Sequence, residues 1–289
     1  MIIGALEAGG TKMVCAVGDE RGNIFDSMSI PTEEPSVTIP RMVEYYKEKG
    51  IECLGIGCFG PIDLNPKSPT YGYITSTPKL AWRNYDMVGN LGKALQVPIG
   101  FDTDVNGSVL GEVTFGCARG LDSVIYITIG TGVGVGVYQN NGLLHGMLHP
   151  EAGHILLRKS EDDPYAGKCP YHRDCLEGLA AGPAIKERWG AEAAELKDSL
   201  KVWDLEAFYI AQAIVNYIYT YSPQKIILGG GVMHQEQLFP LIREKVREMN
   251  AGYILCKELE DMEHYIVPAS LNDKQGILGA LELGRRAKK

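Results

Sequence analysis

The chain lacks an excess of positive charge, and it also lacks any long uninterrupted apolar run. Its formal net charge is −8 at pH 7, which disfavours nucleic acid and anionic membrane surfaces, because both are bound by clustered Lys and Arg. No apolar stretch approaches the length of a membrane span. The opening residues, from Met1 to Gly4, carry no charged region of the kind that begins a signal peptide. We therefore expect a globular protein that is not secreted and has no membrane or nucleic-acid partner.

The chain contains cysteines but has no secretory signal that would direct it to a compartment where disulfides form. The chain has seven Cys, and without a secretory signal they predict a reducing compartment, the cytoplasm, where thiols stay free or bind metal. Five of them stand mostly in apolar surroundings and are interpreted as small core residues: Cys15, Cys53, Cys58, Cys117 and Cys256.

The other two cysteines belong to a compact run of metal-ligand side chains. Cys169, His172 and Cys175 form a Cys-x2-His-x2-Cys pattern, and His154 precedes them. Thiolates and imidazoles are the ligands that zinc prefers, and four of them close a tetrahedral structural site that has no place for water. The alternative is two ordinary cysteines and two surface histidines. The short spacing and the polar neighbours favour a loop folded around a structural Zn²⁺.

The order of apolar segments and glycine turns predicts two copies of one β-β-β-α-β unit. The first copy covers strands at 2–6, 13–17, 24–30 and 53–58 with a helix at 37–49, and the second restarts with strands at 124–129 and 133–138 and ends at 225–228. We expect an α/β fold of two similar lobes facing each other across a cleft. Residues 1–113 would form the small N-terminal lobe, and residues 114–271 a large lobe with the metal-binding insertion. A C-terminal helix, 272–289, would pack back on the first lobe.

Each copy has a turn rich in glycine and threonine between its first two strands. The two turns are Gly9-Gly10-Thr11-Lys12 and Gly130-Thr131-Gly132. Glycines let backbone amides point at phosphate oxygens, and a threonine hydroxyl adds a donor. Neither turn has the spacing of a Walker loop or of a dinucleotide fingerprint that opens a helix. One such turn is more often an ordinary hairpin, but two at matching places predict a clamp on a phosphate chain. Lys12 either neutralises phosphate charge there or is simply exposed.

Successive segments along nearly the whole chain resemble the motifs of the ROK sugar kinases. They are residues 7–12 (E-A-G-G-T-K), 57–63 (G-C-F-G-P-I-D), 104–112, 128–132, 150–154 (P-E-A-G-H), 169–177, 181–183 and 229–232. Within that family, C-P-Y-H-R-D-C-L-E-G and residues 71–82 are most similar to the bacterial zinc-containing fructokinases. The resemblance implies the two-lobed actin-like ATPase fold of sugar kinases, Hsp70 and actin. It also implies phosphorylation of a hexose with Mg²⁺ and ATP, usually by a homodimer.

The resemblance implies that Asp104, in F-D-T-D-V-N-G, is the general base that accepts the proton of the hexose hydroxyl. It follows a predicted strand at 97–101 and would begin a helix, whose N-terminus favours an ionised carboxylate. The residues alone leave a second interpretation, in which Asp104 is only a helix N-cap. Asp102 is the nearest rival and is expected to orient its neighbours.

The resemblance also implies the contacts of hexose and nucleotide. Expected hexose contacts are Thr103, Glu151, His154 and Glu177, with Gly60 and Pro61 shaping the other wall, while Gly230, Gly231 and Val232 approach the adenosine opposite Pro183. A solvated surface carboxylate remains the alternative for the two glutamates. The chain departs from the family at Thr103, where many glucokinases carry Asn, and at Glu7, where an Asp commonly helps to hold hydrated magnesium.

Fructose is the expected substrate, with glucose, mannose or an amino sugar as alternatives, because single hydroxyl contacts decide between hexoses. Some ROK proteins are instead sugar-sensing transcriptional regulators. Those require a DNA-binding segment ahead of the first strand, whereas the first predicted strand here starts at Ile2 and the charge is acidic. We therefore expect an enzyme.

Overall fold

The computed structural model describes residues 1–288, and the chain forms two compact units. The first consists of Met1–Gly120, Leu143–Pro150 and the chain from Ser270 onward, and the second of Leu121–Gly142 and Glu151–Ala269. The first unit thus extends beyond the expected boundary at 113 and includes a separate segment of the middle of the chain. Among the described residues, no helix is both long enough and apolar enough to span a membrane.

The strands are β1 (Ile3–Ala8), β2 (Lys12–Gly18), β3 (Ile24–Pro31), β4 (Cys53–Cys58), β5 (Tyr73–Ile74), β6 (Tyr85–Asp86), β7 (Ile99–Thr103), β8 (Ser123–Ile129), β9 (Val133–Gln139), β10 (Gly142–Leu143), β11 (Lys225–Gly229) and β12 (Ile266–Pro268). The helices are α1 (Pro35–Lys49), α2 (Met87–Leu95), α3 (Asp104–Phe115), α4 (Leu176–Ala180), α5 (Gly182–Trp189), α6 (Leu200–Tyr221), α7 (Leu238–Asn250), α8 (Lys257–Glu260), α9 (Met262–Tyr265) and α10 (Gln275–Ala287).

The sheet of the first unit has the order β3-β2-β1-β4-β7. Strand β1 pairs antiparallel with β2 and parallel with β4, and β4 pairs parallel with β7. Successive side chains of a strand point to opposite faces, so Leu6 and Ala8 pack in the larger core with Met42 of α1, while Ile3 and Ala5 pack with α10. Both faces of the central strand are therefore buried.

Helix α10 approaches the sheet closely because glycines line the contact. Glycine disfavours the interior of a helix, yet this helix runs unbroken over Gln275–Ala287 with glycines at 276, 279 and 284. A Cβ added at Gly279 would lie 1.7 Å from the carbonyl oxygen of Gly107 in α3, and one at Gly55 would lie 1.7 Å from that of Ala280. The absence of a side chain is thus what permits these backbones to touch.

The sheet of the second unit has the order β10-β9-β8-β11-β12. Here β8 pairs antiparallel with β9 and parallel with β11, which pairs parallel with β12. The antiparallel hairpin followed by parallel strands repeats the scheme of the first sheet.

One strand differs from its prediction. The strand expected at 97–101 lies at Ile99–Thr103, because Pro98 has no N–H to donate to a ladder. Residues 65–83 contain β5 and a turn of 3-10 helix at Leu80–Trp82, and Trp82 anchors this segment by donating from Nε1 to the carbonyl oxygen of Glu33 at 2.8 Å.

Candidate active site and metal group

The first glycine turn, between β1 and β2, is tightly closed. The N–H of Gly9 donates to the carbonyl oxygen of Lys12 at 3.0 Å, and the hydroxyl of Thr32 donates to the carbonyl oxygen of Gly9 at 2.7 Å. A Cβ at Gly9 would lie 2.7 Å from the Lys12 carbonyl oxygen, so the turn requires glycine there. Thr11 and Lys12 are exposed at its tip, which leaves their side chains open to a ligand.

Glu7 and Asp104 form a pair of carboxylates in the first unit. Burial, and then the negative charge of Asp104, raise the pKa of Glu7 to about 7, while Lys12 opposes the rise. The Glu7 carboxylate also lies against the N-terminus of α10, since a Cβ at Gly276 would be 2.6 Å from its Cδ. A carboxyl with such a pKa is only partly ionised near neutral pH, and a nearby cation would favour its charged form.

Asp104 is the first residue of α3 and is half-buried. The N-cap of this helix is Thr103, whose hydroxyl oxygen accepts from the N–H of Asn106 at 3.1 Å. The interpretation of Asp104 as the N-cap is therefore wrong, and Thr103, an expected hexose contact, caps the helix. Asp104 Oδ1 accepts from the N–H of Val105 at 2.9 Å, so the start of the helix orients the carboxylate.

Asp102 is buried at the end of β7 and does orient its neighbours. Its Oδ1 accepts from the N–H of Thr103 at 2.8 Å and from Nδ2 of Asn106 at 2.7 Å. Its Oδ2 lies 2.8 Å from Nε2 of His145. Sequence reasoning missed His145, because a lone histidine in a loop carries no signal of its partner.

Gly60 and Pro61 are joined by a cis peptide bond. The carbonyl oxygen of Pro61 accepts from both the N–H and the hydroxyl of Thr75, at 2.8 and 3.0 Å. The next residue, Ile62, donates its N–H to Nε2 of His149 at 3.2 Å, a second histidine that the sequence did not single out. The turn is thus held from two directions.

The second glycine turn, between β8 and β9, is bound to the start of α5. The N–H of Gly130 donates to the carbonyl oxygen of Gly132 at 2.9 Å, and the N–H of Gly182 donates to that of Gly130 at 2.8 Å. Glu177 Oε2 accepts from the N–H of Val133 at 3.1 Å. A Cβ at Gly132 would be 2.7 Å from the same oxygen. The structure therefore places Glu177, an expected hexose contact, directly against this turn.

The expected adenosine contacts gather beside this second turn, within the second unit. Gly230 has a φ of +87°, and a Cβ there would lie 2.5 Å from the carbonyl oxygen of Ile129. Gly231 faces open space, and Val232 Cγ2 would be 3.8 Å from a Cβ at Gly182, the residue before Pro183. The backbone at Gly231 is therefore open to a ligand.

Glu151 and Glu177 are close enough to influence each other. Burial, followed by the charge of Glu177, raises the pKa of Glu151 to about 7. Glu151 directly precedes the 3-10 turn Ala152–His154, so it is held next to the histidine of the metal group.

His154, Cys169, His172 and Cys175 converge, with their ligand atoms all within 4.8 Å of one another. Sγ of Cys169 lies 3.7 Å from Nδ1 of both histidines, and Sγ of Cys175 lies 3.5 Å from Nδ1 of His154. Zinc bonds of about 2.3 Å to sulfur and about 2.0 Å to nitrogen give a tetrahedral edge of about 3.6 Å, so the donors fit that ion. Burial is the main cause that raises the pKa of the Cys175 thiol to about 11, and a bound cation would displace that proton.

A buried arginine side chain holds the insertion that carries the metal group. Arg188 of α5 pairs with Oδ2 of Asp163 at 3.2 Å, and their side chains are 5% and 1% exposed. The guanidinium lies over the rings of Tyr165 and Tyr209, at 4.7 and 5.5 Å from their centroids. Tyr209 also donates its hydroxyl to Asp163 at 2.6 Å. The insertion is thus fixed to α5 and α6.

The family model described as the ROK family matches residues 3–287, and the chain belongs to that family. It is 50% identical to a putative fructokinase of Bacillus subtilis over 99% of this chain and 96% of that protein. It is 46% identical to a fructokinase of Pediococcus pentosaceus over 100% and 99% of the two chains. The structure is similar to the ROK hexokinase of Thermus thermophilus, with a TM-score of 0.79, 25% identity, and 99% and 98% coverage. The α/β, actin-like ATPase fold implied by the sequence motifs is thereby confirmed.

Proposed function

We propose that this protein is an ATP-dependent fructokinase that transfers the γ-phosphoryl group of ATP to the 6-hydroxyl of D-fructose. The observation that carries the kinase assignment is the carboxylate of Asp104, oriented at the start of α3 beside Glu7. The preference for fructose is supported by the full-length similarity to proteins named fructokinases.

Asp104 accepts the proton of the attacking hydroxyl in this proposal. The transition state of phosphoryl transfer is loose, so alignment and charge stabilisation matter more than basicity. A positioned base contributes about 10²–10⁴-fold. The N–H of Val105 holds one carboxylate oxygen at 2.9 Å, and the N-terminal end of α3 favours the ionised form.

The carboxylates of Glu7 and Asp104 fit a hydrated Mg²⁺ that accompanies ATP. Oxygen ligands suit this hard cation, and a cation would relieve the mutual repulsion that helps to raise the pKa of Glu7. When bound, Mg²⁺ supplies positive charge to the phosphate chain. The exposed Lys12 supplies further charge from the protein itself.

Nucleotide binding is assigned to the two glycine turns and the bare backbone beside the second one. In this proposal Gly10, Thr11 and Lys12 of the first turn and Gly130, Thr131 and Gly132 of the second contact phosphate oxygens. Pro183, Gly230, Gly231 and Val232 contact the adenosine. The hydrogen bond from Val133 to Glu177 supports this assignment, because it rigidifies the second turn.

The four donors of the metal group hold a structural Zn²⁺ in this proposal. With four protein ligands no position remains for a reacting water, so the ion serves to fix the loop. That loop carries Glu151 and His154, which we assign to hexose hydroxyls together with Glu177. A homodimer and a cytoplasmic location complete the proposal. Sedimentation velocity tests the dimer.

The experiment measures ADP release with fructose, glucose, mannose and an amino sugar, for the native protein and for Asp104→Ala. We expect the highest kcat/KM with fructose, and a fall of about 10³-fold or more in kcat for the variant, with near-native binding of ATP and hexose by calorimetry. Asp261→Ala is the matched control, because Asp261 is an exposed aspartate that caps α9. Native turnover by Asp104→Ala would remove this residue from the mechanism, and absence of ADP release with every hexose would refute the kinase assignment.

A further inference from the structure

The segment Leu143–Pro150 belongs to the first unit, although its neighbours on both sides in the chain belong to the second. We call these residues the histidine strap, because two histidines fasten it. Its sequence, L-L-H-G-M-L-H-P, contains no Asp, Glu, Lys or Arg. The two histidines each make a side-chain hydrogen bond to another part of the first unit, and each bond can be removed by a single substitution.

The first attachment joins the strap to the start of α3. Nε2 of His145 lies 2.8 Å from Oδ2 of Asp102, whose other oxygen accepts from Thr103 and Asn106. Thr103 is the N-cap of the helix that begins with Asp104. Asp102 thus connects the imidazole of His145 to the backbone that carries the proposed base.

The second attachment joins the strap to the Gly60-Pro61 turn. The N–H of Ile62 donates to Nε2 of His149 at 3.2 Å, so this nitrogen must be an unprotonated acceptor. A hydrogen bond to the backbone of Pro150 is made by the same histidine. The ring is buried and is held from two sides.

The burial of Asp102 distinguishes the first attachment from an ordinary surface ion pair. The Asp102 side chain is 3% exposed and that of His145 is 41% exposed, whereas both members of the His264–Asp261 pair are largely exposed, at 83% and 59%. Pairs that are exposed on both sides contribute little, but removing the partner of a buried carboxylate leaves that charge with less compensation. Loss of His145 should therefore disturb Asp102 and, through it, the first turn of α3.

We propose that His145 and His149 are positioning residues for hexose phosphorylation, and that they fix, through Asp102 and Ile62, the start of α3 and the Gly60-Pro61 turn. This inference rests on the proposed function, because it gives the two histidines a role in aligning Asp104 and one wall of the hexose site. Neither histidine is required to touch the substrate.

The charges around the strap predict a pH window. The titratable groups that face the two histidines are Asp102 and each other, with Tyr71 close to Asp102. The hydrogen bond to Asp102 raises the pKa of His145, so the charged form of this attachment is lost as pH rises through that raised value. Burial lowers the pKa of His149, so its acceptor role is lost as pH falls through that lowered value. Both hydrogen bonds are therefore fully formed at pH values between the lowered pKa of His149 and the raised pKa of His145.

The test compares His145→Phe, His145→Gln and His149→Phe with the matched control His264→Phe. We expect kcat with hexose to fall roughly tenfold to hundredfold in the two Phe variants, the size expected when reacting groups are misplaced by about 1 Å. The KM for ATP should change less than about twofold. His145→Gln should recover part of the loss, because its amide can still donate to Asp102, and it should lack the alkaline fall in kcat that His145 gives the native protein. His264→Phe should have native kinetics.

Hydrogen exchange provides a readout that does not depend on activity. In His145→Phe the amides of Thr103, Asp104 and Val105 should exchange faster than in the native protein, and in His149→Phe the amide of Ile62 should do so, with exchange in α7 unchanged in both. If wild type phosphorylates no hexose, the proposed function fails, while the exchange data still decide whether the strap fixes these segments. Native kcat or native exchange in the Phe variants would overturn the inference, and so would an alkaline limb that His145→Gln retains.

Discussion

Replacement of Glu7 by Gln measures how much a charged carboxylate beside Asp104 lowers the free energy of unfolding. Burial and the Asp104 charge raise the pKa of Glu7 from its ordinary value of 4.5 to about 7 in the folded protein. The folded state thus binds the proton more tightly than the unfolded state, so the free energy of unfolding falls as pH rises from 4.5 to 7 and stays low above that range. At about 1.4 kcal/mol for each pH unit, this loss is roughly 3 kcal/mol. Residual solvent access reduces it to about 2–3 kcal/mol.

The assay is urea unfolding at pH 5 and pH 8 without divalent cations, followed by circular dichroism. Glu7→Gln keeps the shape of the side chain against Gly276 but cannot ionise, so its free energy of unfolding should exceed that of the native protein by about 2–3 kcal/mol more at pH 8 than at pH 5. Glu44→Gln, on the exposed side of α1, should show no such difference. Parallel pH dependence of native protein and Glu7→Gln would refute the reasoning.

Three further predictions concern the second unit and the packing of α10. Cys175→Ser should lose the proposed zinc, measured by atomic emission, and should weaken hexose binding more than ATP binding, because the loop that holds the metal group carries the proposed hexose contacts; retention of one zinc per chain would contradict this. Arg188→Met should lower the free energy of unfolding by about 3–5 kcal/mol, since it leaves Asp163 buried without its cation; a loss below about 1 kcal/mol would show that the pair is dispensable. Gly55→Val should cost roughly 3 kcal/mol or prevent folding, because its Cβ would be 1.7 Å from a carbonyl oxygen of α10, and near-native stability would argue against this close packing.

The local elements were predicted well where the pattern was strong. The strand at 53–58 has the predicted bounds, because a short apolar run between Gly and Pro residues leaves few alternatives. The metal group was predicted because its ligands are close in sequence and have one chemistry. The helix α10 was harder to predict, since three glycines oppose a helix locally while the tertiary contact requires them.

The position of Glu177 could not be predicted in the same way. Its resemblance to a hexose-contacting carboxylate says nothing about the N–H of Val133, to which it is hydrogen-bonded. Likewise Thr103, expected at the hexose, caps α3. Such roles depend on where the backbone donors of other elements point.

The amino-acid sequence by itself determined the family, the glycine turns, the candidate metal ligands and Asp104 as the candidate base, because each is encoded in a short stretch whose residue types indicate its chemistry. Only the tertiary structure decided that Asp102 meets His145, 43 residues away, and that Ile62 meets His149, 87 residues away. It also decided the raised pKa of Glu7, which depends on burial and on the charge of Asp104. Contacts between distant residues follow from how the elements pack, and no local pattern in the chain specifies them.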